Sequence, residues 1–473
     1  MKKKYTNYLI VVLTSALSWS CKKELNVFPT TSEVDGNVII DTKSAETVLN
    51  GVYYRFADAG VDNNNVPTVL WSEVNEAIPS EMANTIYNNS DNVISSLTFN
   101  SQTPAVATIW TYGYALVNAA DGFIKNATPV TKIPIATKTE MLAEARFLRA
   151  FGNSELLLYY GQYYDPTSKY GIILRNEFVD ANNINLPRTS VAAAYTSILN
   201  DLDTAILSLP VQNTAAYYAN ASAAKLLKAR VLINRGAAGD YAEVISLTND
   251  VITNGPFALE DSLKDVFLSK GFTSKEVILG VQPYPNETLK YLNNQFYYQF
   301  PLSDSLVSSL SNDPRNKWYY HMINSAYYGV IPRLDKYYSG DTLNVAETPL
   351  SETCYAFRLT EAYLLEAEAI TLSNGNLATA KALLETVEGH AGIKDFTAIT
   401  NANTQPALQL LIVKEEMKNF FSENGADWFA VRRLPFATAQ TLLPALKVVN
   451  QLTMPIPYSE TSINNQIIQN PGY

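Results

Sequence analysis

The residues able to do chemistry in this chain are few and scattered. Two histidines, His321 and His390, lie far apart in sequence, and Cys21 and Cys354 are the only cysteines. Four such residues so placed cannot supply a zinc-type ligand cluster, and no metal site or cofactor is expected. The chain contains no Gly-rich phosphate loop, no GxSxG elbow and no HExxH pair. Acids are plentiful, but a glycosidase needs two carboxyl groups held about 5–10 Å apart across the scissile bond. Glu73 and Glu76 are candidates only in the sense that they sit in a polar stretch; no motif surrounds them. The chemistry that the composition favours is recognition. There are 30 tyrosines, and around Trp318 the chain reads NKWYYHMINSAYYGVIPRLDKYY, placing Tyr319, Tyr320, Tyr327 and Tyr328 close together. Flat aromatic faces stack on the C–H faces of sugar rings, while Asn, Asp and Arg bind hydroxyls, so a few polar groups on an apolar wall make a ligand site. The same rings could instead fill the core of a loop-rich subdomain.

Cys21 is the second chemical feature. Lys2, Lys3 and Lys4 precede an apolar stretch from Tyr8 to Leu17, which ends in Ser18-Trp19-Ser20-Cys21. The stretch is too short for a membrane helix, which needs ~20 apolar residues, and reads as a cleaved secretory signal over residues 1–20. A cysteine directly after Ser20 resembles a bacterial lipobox, whose thiol is diacylated and becomes the mature N-terminus. The protein is then anchored to a membrane rather than threaded through it. Cys354 is left as the one thiol of the mature chain, without an internal disulfide partner, and is expected as a small buried residue.

These features must be positioned by a large scaffold. A mature chain of roughly 450 residues can build a substantial core and more than one subdomain. The formal charge is −10 and becomes more acidic once the leader lysines are removed, which argues against nucleic acid as a partner. Helical periodicity predominates. Helices are predicted over residues 41–54, 104–126 and 140–160. Further helices are predicted after Ser190 up to the stop at Pro210, from Ser222, and from Asp240 to Gly255-Pro256. Residues 222–254 and 357–389 each read as a helix, a turn and a second helix, a period of about 34 residues typical of tetratricopeptide pairs. Residues 140–209 and 407–434 supply further pairs. The predicted fold is mainly α: a tetratricopeptide-like helical-repeat scaffold over about 40–255 and 351–434, with an irregular, loop-rich insertion at about 256–350. The insertion holds short strands such as EVILGVQ (276–282). Loops carried on a rigid scaffold are where binding usually sits.

Several segments, in order, resemble the SusD/RagB family of outer-membrane nutrient-binding lipoproteins across nearly the whole mature chain. They are LNGVY (49–53), Trp110-Thr-Tyr112 with Asn118-Ala-Ala-Asp121, AEARFLRAF (143–151), YGIILR (170–175) and LPRTSV (186–191). Asp313-Pro314-Arg315, EEMKNFFSENGADWFAVRRL (415–434) and the terminal MPIPYSETSINNQIIQNPGY follow. Asn424-Gly425 stands where Glu-Gly is common.

The resemblance implies surface display by a lipid anchor on the outer membrane and a lid-like partnership with a SusC-like TonB-dependent barrel. It implies no catalysis, and a ligand that is a glycan or, in the RagB branch, a peptide. It also places Trp110 and Trp428 in structural helices, and gives Arg146, Arg149 and Asp427 packing and salt-bridge roles. Of the five tryptophans, Trp19 falls in the leader. Trp71 and Trp318 are then the informative pair, and Trp71, Tyr87, Trp318, Tyr319, Tyr320, Tyr327 and Tyr328 are the candidate ligand-binding residues. A secreted glycoside hydrolase and a purely structural repeat adaptor are the competing readings.

Overall fold

The computed structural model describes residues 38–57, 71–283, 295–338, 348 and 350–473. The expectation for Cys21 falls outside them. Among the described residues no helix is long and apolar enough to cross a membrane.

The fold is mainly α, as the periodicity implies. The long helices are α1 (Thr42–Phe56), α2 (Pro104–Ala127), α3 (Ile135–Tyr160), α4 (Val191–Ser208), α5 (Ala221–Arg235), α6 (Asp240–Asn254), α7 (Leu359–Leu372), α8 (Leu377–His390) and α9 (Gln405–Phe420). The short α10 (Ala426–Val431) follows. Each of α2 to α6 packs on the next, α6 then packs on α7, and α7 on α8 and α9. The two predicted repeat pairs, α5/α6 and α7/α8, are therefore stacked neighbours although more than a hundred residues separate them in the chain.

Local chemistry sets the ends of these helices. Ser190 caps α4 by accepting from Ala193 N–H, and Leu209 ends the helix just before Pro210. The start of α5 differs from expectation. Asn220 is the cap, accepting from Ala223 N–H at 2.9 Å, while Ser222 turns its hydroxyl back onto the Val211 carbonyl at 2.8 Å. Helix α3 begins at Ile135, directly after Pro134, a turn earlier than its apolar stripe suggests. Close approach of α2 and α3 depends on paired glycines. A Cβ on Gly113 would meet Leu156 Cγ at 2.7 Å, and one on Gly152 would meet the Gly113 carbonyl at 3.0 Å.

Buried ion pairs tie the helices together. Arg149 of α3 reaches Asp121 of α2 at 2.8 Å and Asp201 of α4 at 2.7 Å, and Arg146 adds a second contact to Asp201. Arg230 of α5 forks onto Glu361 of α7 with both bonds at 2.8 Å. Arg433, just past α10, joins Glu368 and Glu416. Asp427 accepts from Ser80 and Thr85, and Trp428 is fully buried. The charged residues of the recognised segments are thus structural.

The irregular region has its own core. Phe267, Tyr297, Leu302, Trp318, Tyr319, Leu334 and Tyr337 cluster there with Ala77, Ile86, Tyr355 and Phe421 from outside it. Strand β1 (Val277–Val281) falls where EVILGVQ was predicted. The other strands are β2 (Tyr320–Ser325), β3 (Gly329–Leu334) and β4 (Cys354–Arg358). Strand β1 pairs antiparallel with β4, which runs straight into α7, so this two-stranded sheet joins the irregular region to the scaffold. Cys354 is buried in β4.

Candidate functional site

Three segments far apart in sequence form one surface. Residues 85–89 run antiparallel to residues 299–303: Tyr87 N–H donates to the Pro301 carbonyl, Asn89 N–H to Gln299, and Ser303 N–H back to Thr85. The second segment is in turn held to β3 by Leu302 N–H donating to the Pro332 carbonyl at 3.0 Å. The early loop carrying Tyr87 is thereby held, through residues 299–303, to the hairpin carrying Tyr320, Tyr327 and Tyr328.

The hairpin itself is a presenting device. Strands β2 and β3 pair from Tyr320↔Leu334 to Ser325↔Gly329, leaving Ala326-Tyr327-Tyr328 as a three-residue loop. Gly329 closes that loop at φ +71°, a left-handed conformation that glycine adopts without a Cβ penalty. Tyr327 at the tip is 93% exposed. Met322 and Val330 stand on one face of the hairpin and are also exposed. The hairpin base is fixed by charge. Arg333 Nε donates to Asp335 at 2.6 Å, the other oxygen of Asp335 is hydrogen-bonded to His321 Nδ1, and the Arg333 guanidinium lies over the Tyr298 and Tyr338 rings. Tyr320 and Tyr328 are half-buried. Tyr87 is also half-buried, and its hydroxyl is shifted upward by burial and then by the charge of Asp304.

Three of the candidate residues are placed elsewhere. Trp71 has no exposed surface; it stacks on Phe151 at 5.8 Å and meets Phe56 edge-on at 5.0 Å. Tyr319 is fully buried, packed against Phe421 at 4.9 Å. Trp318 is 9% exposed and lies against Phe267 and Tyr319. An aromatic without an accessible face cannot stack on a ligand, so these residues fill cores, and the stacking role expected of them is corrected. Their irregular sequence surroundings were misleading because both cores close over loops.

Beside the tyrosine surface lies a cleft of about 400 Å³ between Asn84-Thr85, the short helix Asp304–Ser309 and α9. Its lining includes Ser305, Ser308, Lys414 and Lys418, none of which sequence reasoning singled out. The one signal was a pair of lysines one turn apart on a helix, with only Glu415, Glu416 and Met417 between them. Among the described residues no group of three or more His, Cys, Asp or Glu side chains could hold a metal.

Residues 308–473 match the model of the SusD family. Solved structures agree over almost the whole chain. A SusD superfamily protein from Bacteroides thetaiotaomicron VPI-5482 superposes with a TM-score of 0.73 at 18% identity, over 91% of this chain and 100% of that one. The resemblance to the SusD/RagB family is borne out. Two further structures share this SusD-like fold: a laminarin-binding SusD-like protein (TM-score 0.69, 20% identity, 92% of this chain and 100% of that one) and Bacteroides fragilis NanU (0.73, 17%, 94% and 100%). No curated protein matches the chain. The family match covers the hairpin, the lysine pair of α9 and the C-terminal segment.

Proposed function

We propose that this chain is a non-catalytic nutrient-binding lipoprotein of the outer-membrane surface, anchored through Cys21, which captures oligosaccharide and delivers it to a SusC-like TonB-dependent transporter. The observation that carries the reading is the β2–β3 hairpin. It holds an almost fully exposed tyrosine at its tip, on a base locked by Arg333, Asp335 and His321. A water-exposed aromatic on a rigid arm has no folding role to explain it and suits stacking on a sugar face. A laminarin-binding protein of the same fold supports a glycan ligand. Hydrolysis is disfavoured by the carboxylates available near the early loop. Glu76, one of the two candidate acids there, has no exposed surface, whereas a general acid must reach its substrate.

The test is a screen of purified mature protein against an array of oligosaccharides and peptides, followed by calorimetry on the hits. Losing one stacking aromatic at a hot spot costs ~2 kcal/mol. Tyr327→Ala should therefore weaken glycan binding about thirtyfold, at ~1.4 kcal/mol per tenfold. Peptide hits without glycan hits would place the chain in the RagB branch. Unchanged affinity in the variant would remove the hairpin from the ligand face.

A further inference from the structure

The cleft next to the tyrosine surface has a chemistry that the surface lacks. Its floor is apolar: Leu306 and Met417 are buried and Leu442 is half-buried. Its rim is polar and uncharged on one side, where Ser305 and Ser308 are exposed. On the other side stand Lys414 and Lys418, one helical turn apart on α9 and therefore on the same face.

The two lysines are not equivalent. Lys418 lies 3.4 Å from Asp313 and 3.8 Å from Glu415, two carboxylates that Arg315 also meets, and Glu388 of α8 adds a further acid nearby. Its charge is largely answered. Lys414 is exposed and makes no ion pair among the described residues. What sets Lys414 apart from other exposed lysines is its place at the edge of an apolar floor, where its charge is not answered by an acid among the described residues. Asp304, beside Ser305, is exposed but does not line the cleft.

We propose that this cleft is a subsite for an acidic sugar unit, one carrying a carboxylate or a sulfate ester. The anionic group would sit on Lys414 with support from Lys418, ring hydroxyls on Ser305 and Ser308, and the C–H face on Met417 and Leu306. The volume is at the small end of ligand pockets, which run ~300–1,000 Å³, and suits a sugar unit rather than a protein segment. Thr85 of the cleft is two residues from Tyr87, so one oligosaccharide can follow the early loop from the cleft to the tyrosine surface. The inference rests on the glycan-binding reading above and deepens it by naming the class of glycan.

The test is calorimetry of the purified protein with a galacturonic acid hexamer, its carboxyl-reduced counterpart and a chondroitin sulfate hexasaccharide. At least one acidic ligand should bind about tenfold more tightly than the neutral hexamer, since a charge-assisted contact contributes ~1.5–3 kcal/mol. Added salt should erode that preference. Lys414→Glu should abolish it and Lys414→Arg should keep it. Lys414 is exposed, and equal thermal melts would show that both variants fold. Tight binding of the galacturonic acid hexamer identifies a carboxylate ligand. Binding of the chondroitin sulfate hexasaccharide that is lost on its chemical desulfation, which leaves its uronate carboxylates in place, identifies a sulfate ligand. Equal affinity for acidic and neutral ligands, a preference indifferent to Lys414→Glu, or no binding of either acidic ligand would each overturn the proposal. In those cases a neutral glycan whose affinity still falls with Tyr327→Ala leaves the broader reading standing. If no glycan binds at all, both fall together.

Discussion

Arg315 and Glu415, one hundred residues apart in the chain, meet as a fully buried ion pair at 2.7 Å, with Asp313 on the other edge of the guanidinium at 2.6 Å. The pair fastens the irregular region to α9 and explains why the short Asp-Pro-Arg segment recurs in the resemblance: it is a bolt, not a ligand contact. Removing the arginine leaves two buried carboxylates with Lys418 as the remaining cation beside them and only neutral donors, Asn419 Nδ2 and the residue 315 N–H, in addition. Breaking such a pair typically costs about 3–5 kcal/mol. Arg315→Met should lower the urea-unfolding free energy by that amount, and Arg315→Lys should restore little of it, because an ammonium cannot fork onto two carboxylates. A loss below ~1 kcal/mol in Arg315→Met would show that the region is held elsewhere.

Trp318 and Tyr327 should separate stability from binding. Trp318 packs in the second core, and deleting a buried indole typically costs about 3–5 kcal/mol. Trp318→Ala should therefore unfold at markedly lower urea, whatever it does to ligand. Tyr327 touches solvent almost everywhere, so Tyr327→Ala should change unfolding free energy by less than ~0.5 kcal/mol. The reverse ranking in the two melts would mean that the hairpin is tucked into the protein in solution.

How far the sequence revealed these roles depends on the range of the forces involved. Helix ends were legible where one side chain decides them, as at Ser190. They were missed where a neighbour competes, as at Ser222, whose hydroxyl is taken by Val211. Strand β1 was legible as a short apolar run. The β2–β3 hairpin was not, because its outward face carries Met322 and Val330 in place of the polar residues that alternation predicts. Trp71 and Trp318 sat in irregular sequence, and nothing local reveals that Phe56, Phe151 and Phe267 close over them. The acidic-sugar cleft needs residues near 84, 305 and 414 together, a juxtaposition that only the fold supplies.

The anchor can be tested independently of the fold. Cys21 follows the apolar stretch Tyr8 to Leu17 and Ser20, and the charged run Lys22-Lys23-Glu24 comes next. Cys21→Ala should move the protein from the membrane fraction to the soluble fraction on cell lysis, with its glycan affinity unchanged. Mass spectrometry of the membrane-bound wild type should find a lipid-modified N-terminal cysteine, and an unmodified Cys21 there would end the lipoprotein reading.

Two buried glutamates should give opposite pH signatures. Glu276 is completely buried between Arg358, Thr360 and His390. Burial alone would raise its pKa, but the His390 hydrogen bond, the Arg358 charge and the Thr360 hydroxyl outweigh it and hold the carboxyl down at about 2, against an ordinary 4.5. A depressed carboxylate contributes stability that is present above pH 4.5 and is lost as pH falls through 2. At ~1.4 kcal/mol per pH unit this is on the order of 3 kcal/mol. Glu155 of α3 is lifted to about 7 by burial, against the opposing charges of Arg230 and Arg432. Its contribution is present below pH 4.5 and is lost as pH rises through 7. Urea midpoints of the wild type, Glu276→Gln and Glu155→Gln from pH 2 to 8 check both. The gap between wild type and Glu276→Gln should close on the acid side, between 4.5 and 2, while between 4.5 and 7 the wild type should lose stability relative to Glu155→Gln. A gap for Glu276→Gln that stays constant down to pH 2 would mean that Arg358 and His390 do not hold its charge. A gap for Glu155→Gln that stays constant from pH 4.5 to 7 would mean that burial does not hold its proton; the losses from Glu144 and Glu388, both raised to about 7 mainly by burial, occur in wild type and variant alike.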